Sequence, residues 1–227
     1  MRASPKASRV KSPDGTSTLK VLIADDHAVV RQGLKQILAD AFRHATFGEA
    51  QNAQEALELV WEKTWDIVIL DINMPGRSGL DVLRELKKAR PSLRVLVLSV
   101  YPEDQFAIRV LKAGASGYMG KETASEELIR AIRKVLDGGR YVSATLAEKL
   151  ALNLSAPEKK AVHELLSNRE YEVMSMIASG KTVKQIALKL SLSVKTISTY
   201  RARILEKMEL TTTVELIHYA IQNRLVE

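Results

Sequence analysis

Asp71 closes the run Asp66-Ile67-Val68-Ile69-Leu70-Asp71, and the pair Asp25-Asp26 closes a second apolar run that begins at Leu19. Ser99 ends a third such run and Lys121 follows a fourth. A run this rich in aliphatic and β-branched residues reads as a strand buried on both faces of a parallel sheet, and the C-terminal strand tips of such sheets are where ligands bind. Three carboxylates brought together there repel one another unless a cation neutralises them. A hard divalent ion such as Mg2+ suits the task, because it needs few carboxylates and leaves positions for water or phosphate oxygens. With its charge shielded, the Asp71 carboxylate can attack an incoming phosphoryl group. Lys121 is a point charge able to pair with Asp71 and then with the phosphoryl group, and the Ser99 hydroxyl can donate to a phosphate oxygen.

Converging those side chains requires a particular set of elements. From Leu19 a strand–helix rhythm repeats five times, with strands predicted at Leu19–Asp25, Thr46–Ala50, Asp66–Asp71, Arg94–Ser99 and Ser116–Gly120. Helices are predicted near 28–41, 53–64, 79–89, 103–113 and 125–137; in the first, Val30, Leu34, Ile37 and Leu38 mark one apolar face. His27, beside the acidic pair, reads as a helix-start residue. Strands alternating with helices of this length give an α/β fold, a five-stranded parallel sheet wound on both sides. Gly138-Gly139 ends the fifth helix, after which come an amphipathic stretch at Ala144–Leu154 and Pro157.

The chain has 227 residues, 46% of them hydrophobic, and no cysteine, which excludes disulfides, thiolate metal sites and cysteine nucleophiles. No apolar stretch has membrane-spanning length and no signal-peptide pattern is visible, so a soluble cytoplasmic protein without membrane contact is expected. The net charge of +7 is unevenly placed. Residues 19–138 carry seventeen charges of each sign, whereas residues 167–227 carry nine basic and six acidic side chains, and residues 1–18 carry four and one. The first eighteen residues read as a disordered basic tail. A basic C-terminal part beside a neutral N-terminal one suggests nucleic acid at one end only.

That C-terminal part has a purely helical pattern. Residues 182–190 form one predicted helix, Ser191-Leu192-Ser193 a turn, and Val194–Met208 a second helix with Ser193 as N-cap. Ile197, Tyr200, Ile204 and Met208 line its inner face, so Tyr200 reads as core. Two helices joined by so tight a turn are a helix-turn-helix, whose second helix enters the major groove of double-stranded DNA. The polar face offers Lys195, Ser198, Thr199, Ala202 and Arg203; the small residues allow close approach to base edges, and Thr196 at the helix start reads equally as a phosphate contact or a cap. Lys195, Arg201, Arg203 and Lys207 can reach phosphates, which position a protein without reading sequence.

Residues 19–138 resemble the receiver domains of bacterial response regulators, through Asp25-Asp26, Asp71-Ile72-Asn73-Met74-Pro75-Gly76 with Gly79, Ser99, and Tyr118 ahead of Lys121. The resemblance implies that Asp26, Asp71 and the backbone carbonyl of Asn73 ligate Mg2+, with Asp25 acting through water, and that Ser99 and Tyr118 form a switch. Glu122 stands where many receivers have proline, and Val100 where most have a very small residue and so narrows access. Residues 166–227 resemble the LuxR-type module of the NarL/FixJ class, through Leu166-Ser167-Asn168-Arg169-Glu170, Glu172-Val173, Leu190-Ser191-Leu192-Ser193, Lys195-Thr196-Ile197 and Ile204-Leu205-Glu206-Lys207-Met208. Ser198 and Tyr200 depart from the lysine and histidine of many members. Arg169 and Glu170 read as capping and salt-bridge residues. The organisation expected is a tail at 1–18, a receiver at 19–138, a linker at 139–166 and a DNA-binding domain at 167–227. The implied protein is a transcription regulator, not an enzyme, phosphorylated on Asp71 by a sensor histidine kinase and binding DNA as a homodimer. Two other readings are a phosphohydrolase, disfavoured because Asn73 stands where a second acid is needed, and a constitutive DNA binder of receiver fold.

Overall fold

The structure, a computed structural model, describes residues 18–74, 77–101, 103–123, 125–148, 161–223 and 225–226. Residues 1–17 of the disordered tail predicted at 1–18, Pro75-Gly76, and the second half of the predicted amphipathic stretch lie outside the described residues.

Five parallel strands, β1 (Lys20–Ala24), β2 (Thr46–Ala50), β3 (Ile67–Asp71), β4 (Arg94–Ser99) and β5 (Gly117–Gly120), form one sheet in the order β2-β1-β3-β4-β5. The strands alternate with α1 (Ala28–Ala41), α2 (Ala53–Glu62), α3 (Gly79–Ala89), α4 (Glu103–Lys112) and α5 (Ser125–Leu136). Because successive strand residues face opposite sides, the same apolar run supplies two cores. Val21, Ile23, Ile67, Ile69, Leu96 and Leu98 pack with Leu34 and Leu38 of α1 and Leu128 and Ile132 of α5. Leu22, Val68, Leu70, Val95 and Val97 pack on the other side with Leu57, Leu83 and Phe106 of α2, α3 and α4.

β2 and β4 have the bounds expected from the sequence, whereas β1 is shorter by a residue at each end and β3 and β5 start one residue later. β1 stops at Ala24 because the Asp25 carboxylate turns back to accept the His27 backbone N–H at 2.8 Å. The order of the sheet changes direction between β1 and β3, which opens the crevice that doubly wound folds use for ligands.

Residues 144–148 are helical, and a short 3-10 helix at Val162–Leu165 leads into the C-terminal bundle. The bundle comprises α6 (Asn168–Ala178), α7 (Val183–Leu190), α8 (Val194–Lys207) and α9 (Thr213–Gln222). Its starts are written in side chains: reciprocal capping boxes join Ser167 with Glu170, Thr182 with Gln185, and Thr212 with Glu215, while Ser193 caps α8. Such caps contribute about 1 kcal/mol each. Met208 is the C-cap of α8 rather than its last helical residue. The tight turn between α7 and α8 places Ser191 in the left-handed region, φ 51° and ψ 44°.

Candidate functional site

The parallel strands bring their C-terminal tips to one edge, and the acidic residues meet there. One side-chain ligand atom from each of Asp25, Asp26, His27 and Asp71 can be chosen so that all lie within 4.8 Å of one another. Asp25 and Asp71 are buried, at 2% and 1% exposure. Lys121, delivered by the end of β5, places its ammonium 2.6 Å from both Asp25 Oδ2 and Asp71 Oδ2. Its backbone N–H donates to the Ser99 carbonyl at 2.9 Å, tying β5 to β4 at the site.

Burial pushes the Asp71 carboxyl above its usual range, and the nearby Asp25 charge adds to this, against the opposing pull of Lys121 and the Asn73 N–H. For Lys121, burial opposes the charge, but Asp71 and Asp25 outweigh it and raise its pKa. Asp26 Oδ1 is buried and receives no hydrogen bond, although His27 Nδ1 lies 3.0 Å away. An acceptor left bare among carboxylates suits a cation, so the donor set fits a hard divalent ion. His27 starts α1 as its N-cap residue, without a side-chain capping bond; its exposed ring leans on the acidic pair instead.

Asn73 donates its backbone N–H to Asp71 Oδ1 at 2.8 Å, which curls the chain after β3 over the carboxylate. Gly79 permits this path: a Cβ there would stand 2.3 Å from the backbone of Ile72. Ser99, fully buried, donates to Asn73 Oδ1 at 2.8 Å and accepts the Tyr101 N–H at 3.0 Å. The Tyr118 ring is wholly buried, and its hydroxyl donates to the Tyr101 carbonyl at 2.7 Å. Val100, expected to narrow access, is largely exposed.

Sequence reasoning missed two groups. Arg31 donates to the Asp25 carbonyl at 2.8 Å and pairs with Glu49, so a buried arginine of α1 holds the acidic loop. Its signal was a basic residue next to the apolar stripe of a helix. The other group, Tyr101, Arg109 and Glu172, joins the two halves of the chain and had no local signal.

On α8, Lys195, Ser198, Thr199, Arg201, Ala202 and Arg203 are exposed, and Ile197 and Ile204 are buried. Thr196 is half-buried, its hydroxyl paired with Ser193 Oγ at 2.8 Å. Tyr200 packs partly buried against the core. Lys207 holds its ammonium 2.7 Å from the buried Glu170 carboxylate, bracing α8 to the start of α6, and its side chain is still 42% exposed. Arg169 pairs with Glu172 at 2.6 Å.

Residues 21–133 match the family described as "Response regulator receiver domain", and residues 164–220 match "Bacterial regulatory proteins, luxR family". The chain is 40% identical over 210 residues to "Response regulator GacA" of Pseudomonas aeruginosa, covering 92% of this chain and 98% of that one. It is 36% identical over 208 residues to "Response regulator UvrY" of Escherichia coli K12, covering 91% and 95%. Among solved structures it is similar to RcsB from Salmonella enterica serovar Typhimurium, bound to promoter rprA in the presence of phosphomimetic BeF3-. That likeness has a TM-score of 0.62 at 26% identity and covers 89% of this chain and 98% of that one. A LuxR-family response regulator from Aurantimonas sp. SI85-9A1 gives a TM-score of 0.57 at 33% identity, covering 62% of this chain and all of that one.

Proposed function

Since the chain belongs to the response regulators of the NarL/FixJ class, a receiver domain followed by a LuxR-type DNA-binding domain, we propose that it is a transcription regulator switched by phosphorylation of Asp71. The observation that carries this reading is the placement of the Lys121 ammonium 2.6 Å from a buried Asp71 carboxylate, beside the bare oxygen of Asp26. Domain limits of 19–138 and 167–227, with a basic tail before and a linker between, accompany the proposal.

The phosphoryl donor is a sensor histidine kinase. An Asp71 oxygen forms a bond to phosphorus as the bond from phosphorus to the kinase imidazole breaks; the electron pair returns to the ring nitrogen, which takes a proton. Asp26, Asp71 and the Asn73 carbonyl are the residues to hold Mg2+, which supplies charge neutralisation for the transferring group. Lys121 follows the charge from carboxylate to phosphoryl oxygen, and Ser99 turns its hydroxyl toward a second oxygen. Lys195, Thr196, Ser198, Thr199, Arg201, Ala202 and Arg203 form the DNA-facing surface of α8. One such helix reads few base pairs, so two copies on paired half-sites are the working form. The protein acts in the cytoplasm.

Intact mass after incubation with Mg2+ and a small phosphodonor tests the site. Wild type is expected to gain one phosphoryl group and Asp71→Asn none; equal gain in both would remove Asp71 from the role. The exposed reading face favours one second reading, a constitutive binder. Equal promoter occupancy in cells by wild type and Asp71→Asn would support it.

A further inference from the structure

Ser99, Tyr101 and Tyr118 do not end at the receiver. The Tyr101 ring stacks on Phe106, centroids 4.2 Å apart and planes 12° apart, and Phe106 meets the Tyr171 ring of α6 edge-on at 5.1 Å. The Tyr101 hydroxyl donates to Glu172 Oε1 at 3.3 Å, and Glu172 is a buried carboxylate whose other oxygen is held by Arg169. Beside this contact, Arg109 of α4 donates to the carbonyls of His163 at 2.7 Å and Leu166 at 2.9 Å and lies over the Tyr171 ring at 4.1 Å. A single residue, Tyr101, therefore touches the Ser99 hydroxyl through its N–H, Tyr118 through its carbonyl, and the DNA-binding domain through its side chain.

We propose that Tyr101 is the latch through which the Asp71 site holds the DNA-binding domain against the receiver. The proposal rests on the phosphorylation reading above and names its regulation. A hydroxyl has one proton: to donate to a phosphoryl oxygen, Ser99 gives up Asn73 and rotates away from the position in which it accepts the Tyr101 N–H. Tyr101 then loses the backbone anchor that aims its side chain at Glu172. Without its partner hydroxyl, Glu172 keeps Arg169 alone and the junction loosens. The exposed residues of α8 stand outside this junction. Docking thus limits the attitude of the DNA-binding domain rather than access to its reading face, and release lets two copies align on paired half-sites.

The test uses the full chain. Because it contains no cysteine, Glu58→Cys and Lys184→Cys, both exposed, accept one spin label each. Pulsed electron paramagnetic resonance then reads the distance between the domains, with the labelled protein diluted in unlabelled protein. Tyr101→Phe removes only the hydroxyl and keeps the stack on Phe106; Arg109→Gln supplies the signature of an undocked domain. The expected result is a narrow distribution in wild type that broadens on adding Mg2+ and beryllofluoride. Tyr101→Phe is expected to be broad from the start, with an unchanged circular dichroism melting curve and unchanged phosphoryl uptake by mass. A narrow distribution in Tyr101→Phe overturns the latch. So does a wild-type distribution that stays narrow with beryllofluoride while its mass shows full phosphorylation, which leaves the functional reading intact. Absence of phosphoryl uptake in wild type overturns that reading, and the trigger of the latch with it.

Discussion

Asp71 holds its charge where burial, reinforced by Asp25, opposes it more than Lys121 favours it, so its native pKa is raised. A raised carboxyl pKa means that the protonated form favours folding: this contribution is complete below the unfolded value of about 4 and is lost as pH rises through the native value. Without divalent ion, Asp71→Asn is therefore expected to be more stable than wild type at neutral pH. The gain should shrink in acid and shrink again on adding Mg2+ to wild type, as urea titrations at several pH values would read; a gain independent of pH would contradict it. Asp25, Asp26, Asp71, Ser99 and Lys121 were legible in the sequence because each sits at the tip of an apolar run, and the topology then has one edge on which to collect them. Tyr101 and Glu172 were not, since they are 71 positions apart and lie in segments that each look complete alone. The Lys207–Glu170 pair was not legible for a related reason: a lysine on a helix bound for DNA looks the same whether it faces phosphate or a buried glutamate.

At the scale of elements, two positions set how helices meet their neighbours. The start of α3 lies so near the strand before it that a Cβ at Gly79 would meet Ile72 Cα at 2.3 Å. Gly79→Ala is expected to cost about 1–3 kcal/mol, the usual cost of overpacking. It should also slow phosphoryl uptake by displacing the loop that carries Asn73, as urea unfolding and timed mass spectra would show. In the helix-turn-helix, Ser191 takes a left-handed conformation that glycine adopts without strain. Ser191→Gly is expected to stabilise the C-terminal domain by about 1 kcal/mol, read as a rise in its denaturant midpoint. The two basic ends of α8 should separate by salt dependence. Arg203→Ala is expected to lower the slope of log affinity against log salt by about 0.9 per protomer. Lys207→Ala should leave that slope alone and lower stability, because its charge is spent on Glu170. The pH sign agrees: burial alone would raise the Glu170 pKa, but Lys207 and the Ser167 bonds outweigh it and lower it. The bracing is thus present above the unfolded value of about 4.3 and is lost as pH falls through the native one.

Across the whole molecule, the sheet's second core continues from α2, α3 and α4 into Tyr171 and Val173 of α6, so the receiver and the DNA-binding domain share one apolar layer at their junction. The polar part of that junction is asymmetric. Arg109 offers a guanidinium, and its hydrogen bonds go to main chain just ahead of the DNA-binding domain, the carbonyls of His163 and Leu166, while its face covers the Tyr171 ring. His163→Ala keeps its carbonyl and is expected to leave the interdomain distance unchanged, whereas Arg109→Gln abolishes the narrow distribution; equal broadening by both would show that the imidazole carries the contact. The hydrogen-bonding half of this grip uses atoms that every amino acid possesses, which has a consequence for descent. The two sides of the junction are free to diverge at unequal rates, the arginine constrained and the residue at 163 drifting. A receiver with this arginine could then be joined to a foreign helical domain in a single recombination event and find its main-chain handhold already there, with only the aromatic ring beneath the guanidinium left to be supplied.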